Sequence, residues 1–321
     1  MTRRTLWLTL AGLVVAAVAV GIVLRWADRP APLPVFEEER AYALVSEQTD
    51  FGPRVPGTAA HDSARVWLQA RLGVYADRVV EQQIEIPDPA DTTRTFRGTN
   101  IVASWQPGLR RRILLAAHWD SRPIADNDPD PARRLEPVLG ANDGASGVAV
   151  LLEIARLLDA QPLQRPIGVD IILFDLEDLG TIDPAVPEGD RVPFAMGSEM
   201  FVLHNPGYRP VWGVLLDMVG DTDLRIPKEG YSVQHAPELV DRIWAAARRV
   251  GSTAFLDEVG PAIQDDHVPF LRVGIPMVNL IQTPFPDTWH TTSDTPENVS
   301  AESLGQVGRV LVDLLWRPDA E

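Results

Sequence analysis

"GANDGASGVAVLLEIARLLDAQPLQRPIGVDIILFDLEDLG", residues 140–180, contains the pattern that decides the fold. Residues 146–158 repeat apolar side chains about every 3.6 positions, which is typical of a helix with one buried face. Residues 168–176 form a nearly continuous apolar run, which is typical of a strand covered on both sides. A helix followed by a buried strand indicates an α/β protein.

The same alternation continues along the rest of the chain. Strands are predicted at 79–86, 99–105, 112–119, 168–176, 212–219 and 274–281. Helices are predicted at 59–72, 146–158, 237–250 and 301–316, the last of them starting at a Ser300 cap. We therefore expect a three-layer α/β/α sandwich with a mixed, mostly parallel central sheet, preceded by one N-terminal membrane-anchor helix.

The anchor is predicted from residues 6–24, a run of 19 residues in which only Thr9 is polar. About 20 apolar residues are needed to cross a bilayer as a helix. We expect an uncleaved anchor over 1–25, a Pro-rich linker over 26–39 and a single folded domain over 40–321. The domain is then exported to the periplasm or another extracytoplasmic space. A signal peptide cleaved near 17–19 is the alternative and would give a secreted protein.

Composition excludes several classes of function. The 321 residues carry 45 acidic and 29 basic side chains, for a formal net charge of −16 and a pI near 4.8. This is the wrong sign for a phosphate backbone, so nucleic acid is not expected as a partner. Cysteine is absent, which excludes disulfides, thiolate metal sites and a cysteine nucleophile. Any metal ligands must be His, Asp or Glu.

Acidic and histidine side chains gather where the predicted strands end. His118 and Asp120 follow one strand, Glu177 and Asp178 follow another, and Asp217 ends a third. In open α/β sheets, binding sites form beyond the carboxyl ends of the strands. One such carboxylate alone is often a helix cap or a solvated loop residue. Several together indicate a functional site.

Glu177 and Asp178 are adjacent, and their negative charges repel each other unless a cation or a shared proton reduces the repulsion. Asp143, in the Gly-rich loop before a helix, is either the cap of that helix or a ligand. His290, beside Trp289 in "PFPDTWHTTSD" (284–294), is either a core histidine or a ligand. An Asp, a second carboxylate and a His would give tetrahedral zinc three protein ligands and an open fourth position. The other histidines are expected to be structural or at the surface: His61, His204, His235 and His267.

Six segments occur in an order and spacing that resembles the glutaminyl-peptide cyclotransferases, zinc enzymes related to the M28 aminopeptidases. They are "AAHWDSR", "GANDGASG", "FDLEDLG", "LLDMVGD", "QDDHVPFLRVGIP" and "PFPDTWHTTSD". The first three are shared with the aminopeptidases, whereas the last two are far more specific to the cyclotransferases. The resemblance covers nearly all of the predicted domain, residues 40–316.

The resemblance implies an M28-like zinc-dependent catalytic domain that acts on peptides or proteins with N-terminal glutamine. It closes this residue to pyroglutamate and releases ammonia. The family's zinc ligands fall on Asp143, Asp178 and His290, and its proton-shuttling glutamate falls on Glu177. One zinc ion is expected, and a second is not excluded.

The remaining family residues also have counterparts. Asp217 and Asp265 match two aspartates that hydrogen-bond around the glutamate. Trp289 matches a tryptophan that orients the substrate carbonyl, and Gln264 matches a residue lining the same pocket. The chain departs from the animal enzymes at Asp178, where they usually have Glu, and in "LGTIDP", which lacks their tryptophan. An exported bacterial form is the better match.

Two other functions stay open. In the two-zinc aminopeptidases the histidine at the position of His118 binds a second metal that Asp143 bridges, and such an enzyme would release a free amino acid. A receptor-like ectodomain without catalysis is the third possibility, although every ligand position is occupied here by a competent residue. The loop 123–137 either covers the pocket, binds a cation through its acids or is solvated, and we expect the last of these. The stretch 181–194 is a candidate for shaping specificity.

Overall fold

Helices and strands alternate along the part of the chain that the computed structural model describes, residues 32–91 and 93–317. The helices are α1 (Glu38–Thr49), α2 (Ala59–Tyr75), α3 (Ala145–Ala160), α4 (Met196–His204), α5 (Gly230–His235), α6 (Pro237–Val250), α7 (Val268–Arg272) and α8 (Ala301–Trp316). The strands are β1 (Arg78–Pro87), β2 (Thr95–Trp105), β3 (Arg112–His118), β4 (Gly168–Phe174), β5 (Trp212–Asp217), β6 (Ile226–Lys228), β7 (Phe255–Val259) and β8 (Met277–Ile281). Every predicted strand and helix in the folded domain is confirmed.

A mixed six-stranded sheet forms the centre, in the order β1-β2-β4-β3-β5-β8. Strands β4, β3, β5 and β8 pair in parallel with one another in this order. Strand β2 pairs antiparallel with both β1 and β4. This confirms the predicted mixed sheet. Because the carboxyl ends of the parallel strands share one edge, the acidic strand exits are brought to the same side of the molecule. Strands β6 and β7 form a separate small parallel sheet.

Successive residues of the central strands face opposite sides of the sheet, as strand geometry requires. Leu115 of β3 and Ile171 of β4 belong to the larger core cluster, which includes α1, α3 and α8. Leu114 and Ile172 belong to a second cluster, with Phe201 of α4 and residues of α7. Burying each such side chain contributes roughly 1.5–3 kcal/mol. The sheet therefore lies between two helical layers.

Strands β4 and β5 are each two residues shorter than the apolar runs that predicted them, 168–176 and 212–219. Leu176 and Met218 have positive φ angles of 59° and 49°, in the left-handed region that side chains rarely adopt. The chain therefore turns out of the sheet after Phe174 and after Asp217. The acidic residues that follow β4 lie in the turn beyond the sheet edge and not within it.

Helix α1 was not indicated by the sequence pattern. It begins at Glu38, so the last two residues of the predicted linker 26–39 are helical. The helix buries Ala41, Leu44 and Val45 against the core, and the described residues from Pro34 to Arg317 belong to one compact unit. The predicted anchor, residues 6–24, lies outside the described residues. Within the described ranges, no helix is long and apolar enough to cross a bilayer.

Candidate metal centre and active site

A cavity of about 250 Å³ opens at the carboxyl edge of the parallel strands. It brings together all eight residues predicted for metal binding, catalysis and substrate binding: Asp143, Glu177, Asp178, Asp217, Gln264, Asp265, Trp289 and His290. His118 lies directly behind them, with Nε2 3.1 Å from carboxylate oxygens of Asp143 and Asp217. Among the described residues that line the cavity, five are acidic and none is Lys or Arg.

Asp143, Asp178 and His290 place their potential ligand atoms within 4.8 Å of one another. Nε2 of His290 lies 3.2 Å from Oδ1 of Asp178 and 3.8 Å from Oδ2 of Asp143. Oδ2 of Asp178 is buried and has no hydrogen-bond partner among the described residues. A buried, unpartnered carboxylate oxygen is costly unless a cation satisfies it. One imidazole and two carboxylates suit a divalent ion such as zinc.

A second group of potential ligand atoms, from His118, Asp143 and Asp217, also lies within 4.8 Å of one another. Asp143 belongs to both groups. Burial acts to lower the pKa of His118, but Asp120, Asp143 and Asp217 raise it well above its usual value. The structure therefore brings together a second group of potential metal ligands beside the first.

Asp143 does not cap the helix that follows it. Gly144 occupies the N-cap of α3, and no side chain caps this helix end. Gly144 has a φ of 94°, and a Cβ at this position would lie 2.7 Å from the carbonyl oxygen of Asp120. The carboxylate of Asp294 accepts hydrogen bonds from the N–H groups of Asn142 and Asp143, at 2.7 and 3.0 Å. The backbone is thus held so that the Asp143 carboxylate faces the two histidines.

The Glu177–Asp178 pair is held by a carboxylate of the neighbouring strand exit. Asp120 accepts hydrogen bonds from the N–H groups of Glu177 and Asp178, each at 3.2 Å. Arg122 donates to the carbonyl oxygen of Asp178 at 3.0 Å and to that of Gly180 at 2.9 Å. The turn after β4 is therefore fixed through its backbone, which leaves the Glu177 carboxyl at the cavity.

The cavity strongly disfavours full ionisation of its acids. Burial raises the pKa of Glu177 well above its usual value, and the negative charges of Asp265 and Asp178 add to this effect. Burial and the charge of Asp217 raise the pKa of Asp265 to about 7. In the described structure, Asp217 bonds to His118 and Asp265 to Asn279, at 3.1 and 2.6 Å. Asp265 therefore acts on Glu177 through its charge, and Asp217 acts in the same way on Asp265.

His290 has a φ of 57° and packs face to face on Trp289, with the ring centres 3.9 Å apart. Its Nδ1 lies 3.4 Å from Oδ1 of Asp126. Burial lowers the pKa of His290, but the charges of Asp178 and Asp126 outweigh this effect and raise it to about 9. A histidine surrounded by carboxylates in this way is poised to interact with positive charge, whether a proton or a metal ion.

The expectation that loop 123–137 is solvated is only partly correct. Its later residues are exposed, but Asp126 contacts His290, and the N–H of Asn127 donates to the carbonyl of His290 at 3.1 Å. Asp128 is also buried and accepts hydrogen bonds from the N–H and Oγ1 of Thr292, at 3.0 and 2.5 Å. Asp126 and Asp128 belong to the acidic segment "DNDPD" (126–130), but the residues that they contact lie about 160 positions further along the chain.

Apolar side chains complete the cavity. Phe285 lies against Trp289, with ring centres 4.5 Å apart. Ile182 and Phe194, from the two ends of the stretch 181–194, also line the cavity. They supply further apolar surface to the cavity. The sequence pattern did not indicate Phe285 or Phe194 as site residues.

The remaining histidines are structural or at the surface, as predicted. His61 stacks on Trp119 and lies 3.0 Å from the carboxylate of Asp175. His267 is buried and lies 3.1 Å from Glu229. The other two histidines, His204 and His235, are exposed at the surface.

Comparisons with known proteins identify the family of this chain. Residues 100–315 match the model of peptidase family M28. Glutaminyl-peptide cyclotransferase of Bos taurus is 28% identical over 296 residues, which cover 82% of this chain and 79% of the bovine protein.

Two solved structures from Bacteroides thetaiotaomicron are also similar. One is a glutaminyl cyclase bound to N-acetylhistamine, 38% identical, with a TM-score of 0.83 over 90% of this chain and 100% of that chain. The other is described as a leucine aminopeptidase precursor, 39% identical, with a TM-score of 0.83 over 90% of this chain and 99% of that chain. The family match covers more than half of the sequence and includes every strand exit that lines the cavity. The chain therefore belongs to the M28 peptidase family.

Proposed function

We propose that this protein is a glutaminyl-peptide cyclotransferase, which converts the N-terminal glutamine of peptides or proteins to pyroglutamate and releases ammonia. The observation that carries the proposal is the cavity in which Asp143, Asp178 and His290 meet while Glu177 and Trp289 line the same space. The similarity to proteins named as glutaminyl cyclases supports it.

Asp143, Asp178 and His290 would hold one zinc ion, which fits the unpartnered oxygen of Asp178. When bound there, zinc supplies Lewis-acid polarisation of the substrate's side-chain carbonyl. A cation beside Glu177 would also lower the pKa of its carboxyl, because positive charge favours the ionised form. Glu177 would then be ionised when the substrate binds.

Glu177 is the proposed proton carrier. A bond forms between the α-nitrogen of glutamine and its side-chain amide carbon, and the bond from this carbon to the amide nitrogen breaks. Glu177 accepts a proton from the attacking nitrogen and returns it to the departing nitrogen, which leaves as ammonia. General acid–base work of this kind typically contributes about 10²- to 10⁴-fold to the rate.

Asp265 raises the proton affinity of the Glu177 carboxyl through its charge, and Asp217 raises that of Asp265. Three buried acids in one cavity cannot all be ionised, so at least one of them holds a proton near neutral pH. The pKa of about 7 at Asp265 is consistent with this role. Trp289 and Gln264 would bind the substrate, Trp289 as a flat wall beside the metal ligand His290 and Gln264 from the rim.

A two-metal aminopeptidase is the alternative function. It is favoured by the second group of ligands, His118, Asp143 and Asp217, and by the similarity to a protein described as a leucine aminopeptidase precursor. The two reactions differ in their products. Purified protein incubated with Gln-Ala-Ala should release ammonia and pyroglutamyl-Ala-Ala, with one zinc per chain by metal analysis. Release of free glutamine together with two metal ions per chain would establish the aminopeptidase instead.

We further propose that residues 6–24 anchor the chain in a membrane, with the catalytic domain outside the cytoplasm. The support is the apolar character of this segment in the sequence. Alkaline extraction of membranes from the expressing cell tests the anchor, since an integral segment keeps the protein in the membrane pellet. Recovery in the soluble fraction would contradict it.

A further inference from the structure

A second depression lies next to the catalytic cavity and shares a wall with it. This outer groove, of about 390 Å³, is lined by Asp221, Asp223, Gln282, Phe285 and Asp287, among others. Phe285 lines both spaces. A peptide whose N-terminal residue occupies the acidic cavity has to leave across the rim of this cavity, and Phe285 connects the rim to the groove.

We propose that the outer groove binds the residues that follow the N-terminal glutamine and selects basic side chains there. This inference rests on the proposed cyclotransferase function and adds a class of substrate to it. The groove has three carboxylates and one guanidinium, that of Arg225. Arg225 is paired with the exposed Asp223 at 3.1 Å, so among the described residues that line the groove the three carboxylates outnumber the one cation.

The walls of the groove are joined by backbone contacts. The N–H of Thr283 donates to the carbonyl of Arg225 at 3.1 Å. Asp221 forms a β-bridge with Val299, and its carboxylate accepts the N–H of Asp223 at 2.7 Å. The groove is therefore formed before a peptide arrives, which lowers the entropic cost of binding.

Gln282 supplies the observation that points to a peptide. The residue lines the groove and is only 5% exposed, and its side-chain Oε1 has no hydrogen-bond partner within the described part of the chain. Buried amide oxygens normally have a partner. The N–H of an extended peptide would provide one, while the exposed Asp223 and Asp287 meet its side chains.

The experiment compares kcat/KM for amidated peptides Gln-Ala-X-Ala and Gln-X-Ala-Ala, with X as Arg, Gln or Glu, on zinc-loaded protein. At low salt, Arg should exceed Glu by about tenfold in at least one series, because the groove concentrates positive charge. The ratio should fall towards one at 1 M salt, where the Debye length is about 3 Å.

The double variant Asp223→Asn with Asp287→Asn should reduce the Arg-to-Glu ratio at least threefold and leave kcat/KM for X as Gln within about twofold. Asp241→Asn, an exposed acid on α6, is the matched control and should keep the full ratio. A wild-type ratio near one, or a ratio that survives the double variant, would overturn the selectivity. If none of the peptides with N-terminal glutamine releases ammonia, the cyclotransferase function is contradicted, and the groove proposal is contradicted with it.

Discussion

Oδ1 of Asp126 lies 3.4 Å from Nδ1 of His290, the ring nitrogen opposite the one that faces Asp178. Arg122 holds this aspartate through two hydrogen bonds, at 3.0 and 2.5 Å. Ligating histidines commonly have a carboxylate at their second nitrogen, which fixes the orientation of the ring and raises its basicity. Asp126 is thus placed to orient His290 towards the proposed metal position.

Asp126→Asn should weaken zinc binding by about 10- to 100-fold, because the amide cannot replace the negative charge beside the imidazole. Competition with a chromophoric chelator measures this affinity without relying on catalysis. Asp130→Asn, an exposed aspartate in the same loop, is the matched control and should bind zinc like the wild type. Equal affinities for Asp126→Asn and wild type would show that Asp126 does not support the ligand.

Glu177→Gln should retain zinc and lower kcat by about 10²- to 10⁴-fold, because the amide keeps the size of the side chain but carries no proton between the two nitrogens. Metal analysis and ammonia release, measured on the same preparation, separate the two effects. Its counterpart is His290→Ala, which removes a ligand and should lose both zinc and activity. A Glu177→Gln enzyme that cyclises at the wild-type rate would exclude this residue as the proton carrier.

The site was predictable from the sequence to the extent that its residues follow strands. His118, Glu177, Asp178 and Asp217 come directly after apolar runs, so a parallel sheet has to bring them to one edge. His290 was supported by its "PFPDTWH" setting and by the resemblance to the cyclotransferases. Local pattern and sheet geometry were sufficient to place the four residues at the strand exits, whereas His290 needed the resemblance as well.

The residues that orient the site were not predictable in the same way. Asp294 holds the Asp143 backbone and Asp126 contacts His290, each across more than 150 positions of the chain. A carboxylate in a polar loop has the same local pattern whether it is solvated or buried against a distant partner. Helix α1 was likewise hidden, because its hydrophobic face has meaning only against α3 and α8, which the fold supplies.

The number of metal ions can be tested at His118. If the protein binds one zinc through Asp143, Asp178 and His290, His118→Ala should still bind one ion per chain. If it is a two-metal enzyme, the variant should fall from two ions to one. His204→Ala, which alters an exposed histidine, controls for nonspecific loss of metal. Inductively coupled plasma mass spectrometry after dialysis gives the stoichiometry directly.

Glu229 connects the small helix α5 to the cavity wall. One carboxylate oxygen accepts the N–H groups of Tyr231 and Ile263, each at 2.9 Å, and the other lies 3.1 Å from Nε2 of His267. Burial acts to raise the pKa of Glu229, but His267 and the hydrogen bonds outweigh this effect and lower the pKa to about 2. The folded state therefore binds this proton more weakly than the unfolded chain does.

A depressed carboxyl pKa stabilises the folded state above the unfolded pKa, and the contribution is lost as the pH falls towards the folded pKa. Glu229→Gln should accordingly be less stable than wild type at pH 6, by roughly 3 kcal/mol from the shift itself. The difference in unfolding free energy between wild type and Glu229→Gln should narrow as the pH is lowered from about 4.5 towards 2. In this range Glu229 of the wild type becomes protonated and neutral, as glutamine is at every pH. Urea unfolding across this range measures the gap, with Glu238→Gln, an exposed glutamate of α6, as the control. A gap that stays constant with pH would mean that Glu229 acts through its shape and hydrogen bonds, and not through its charge.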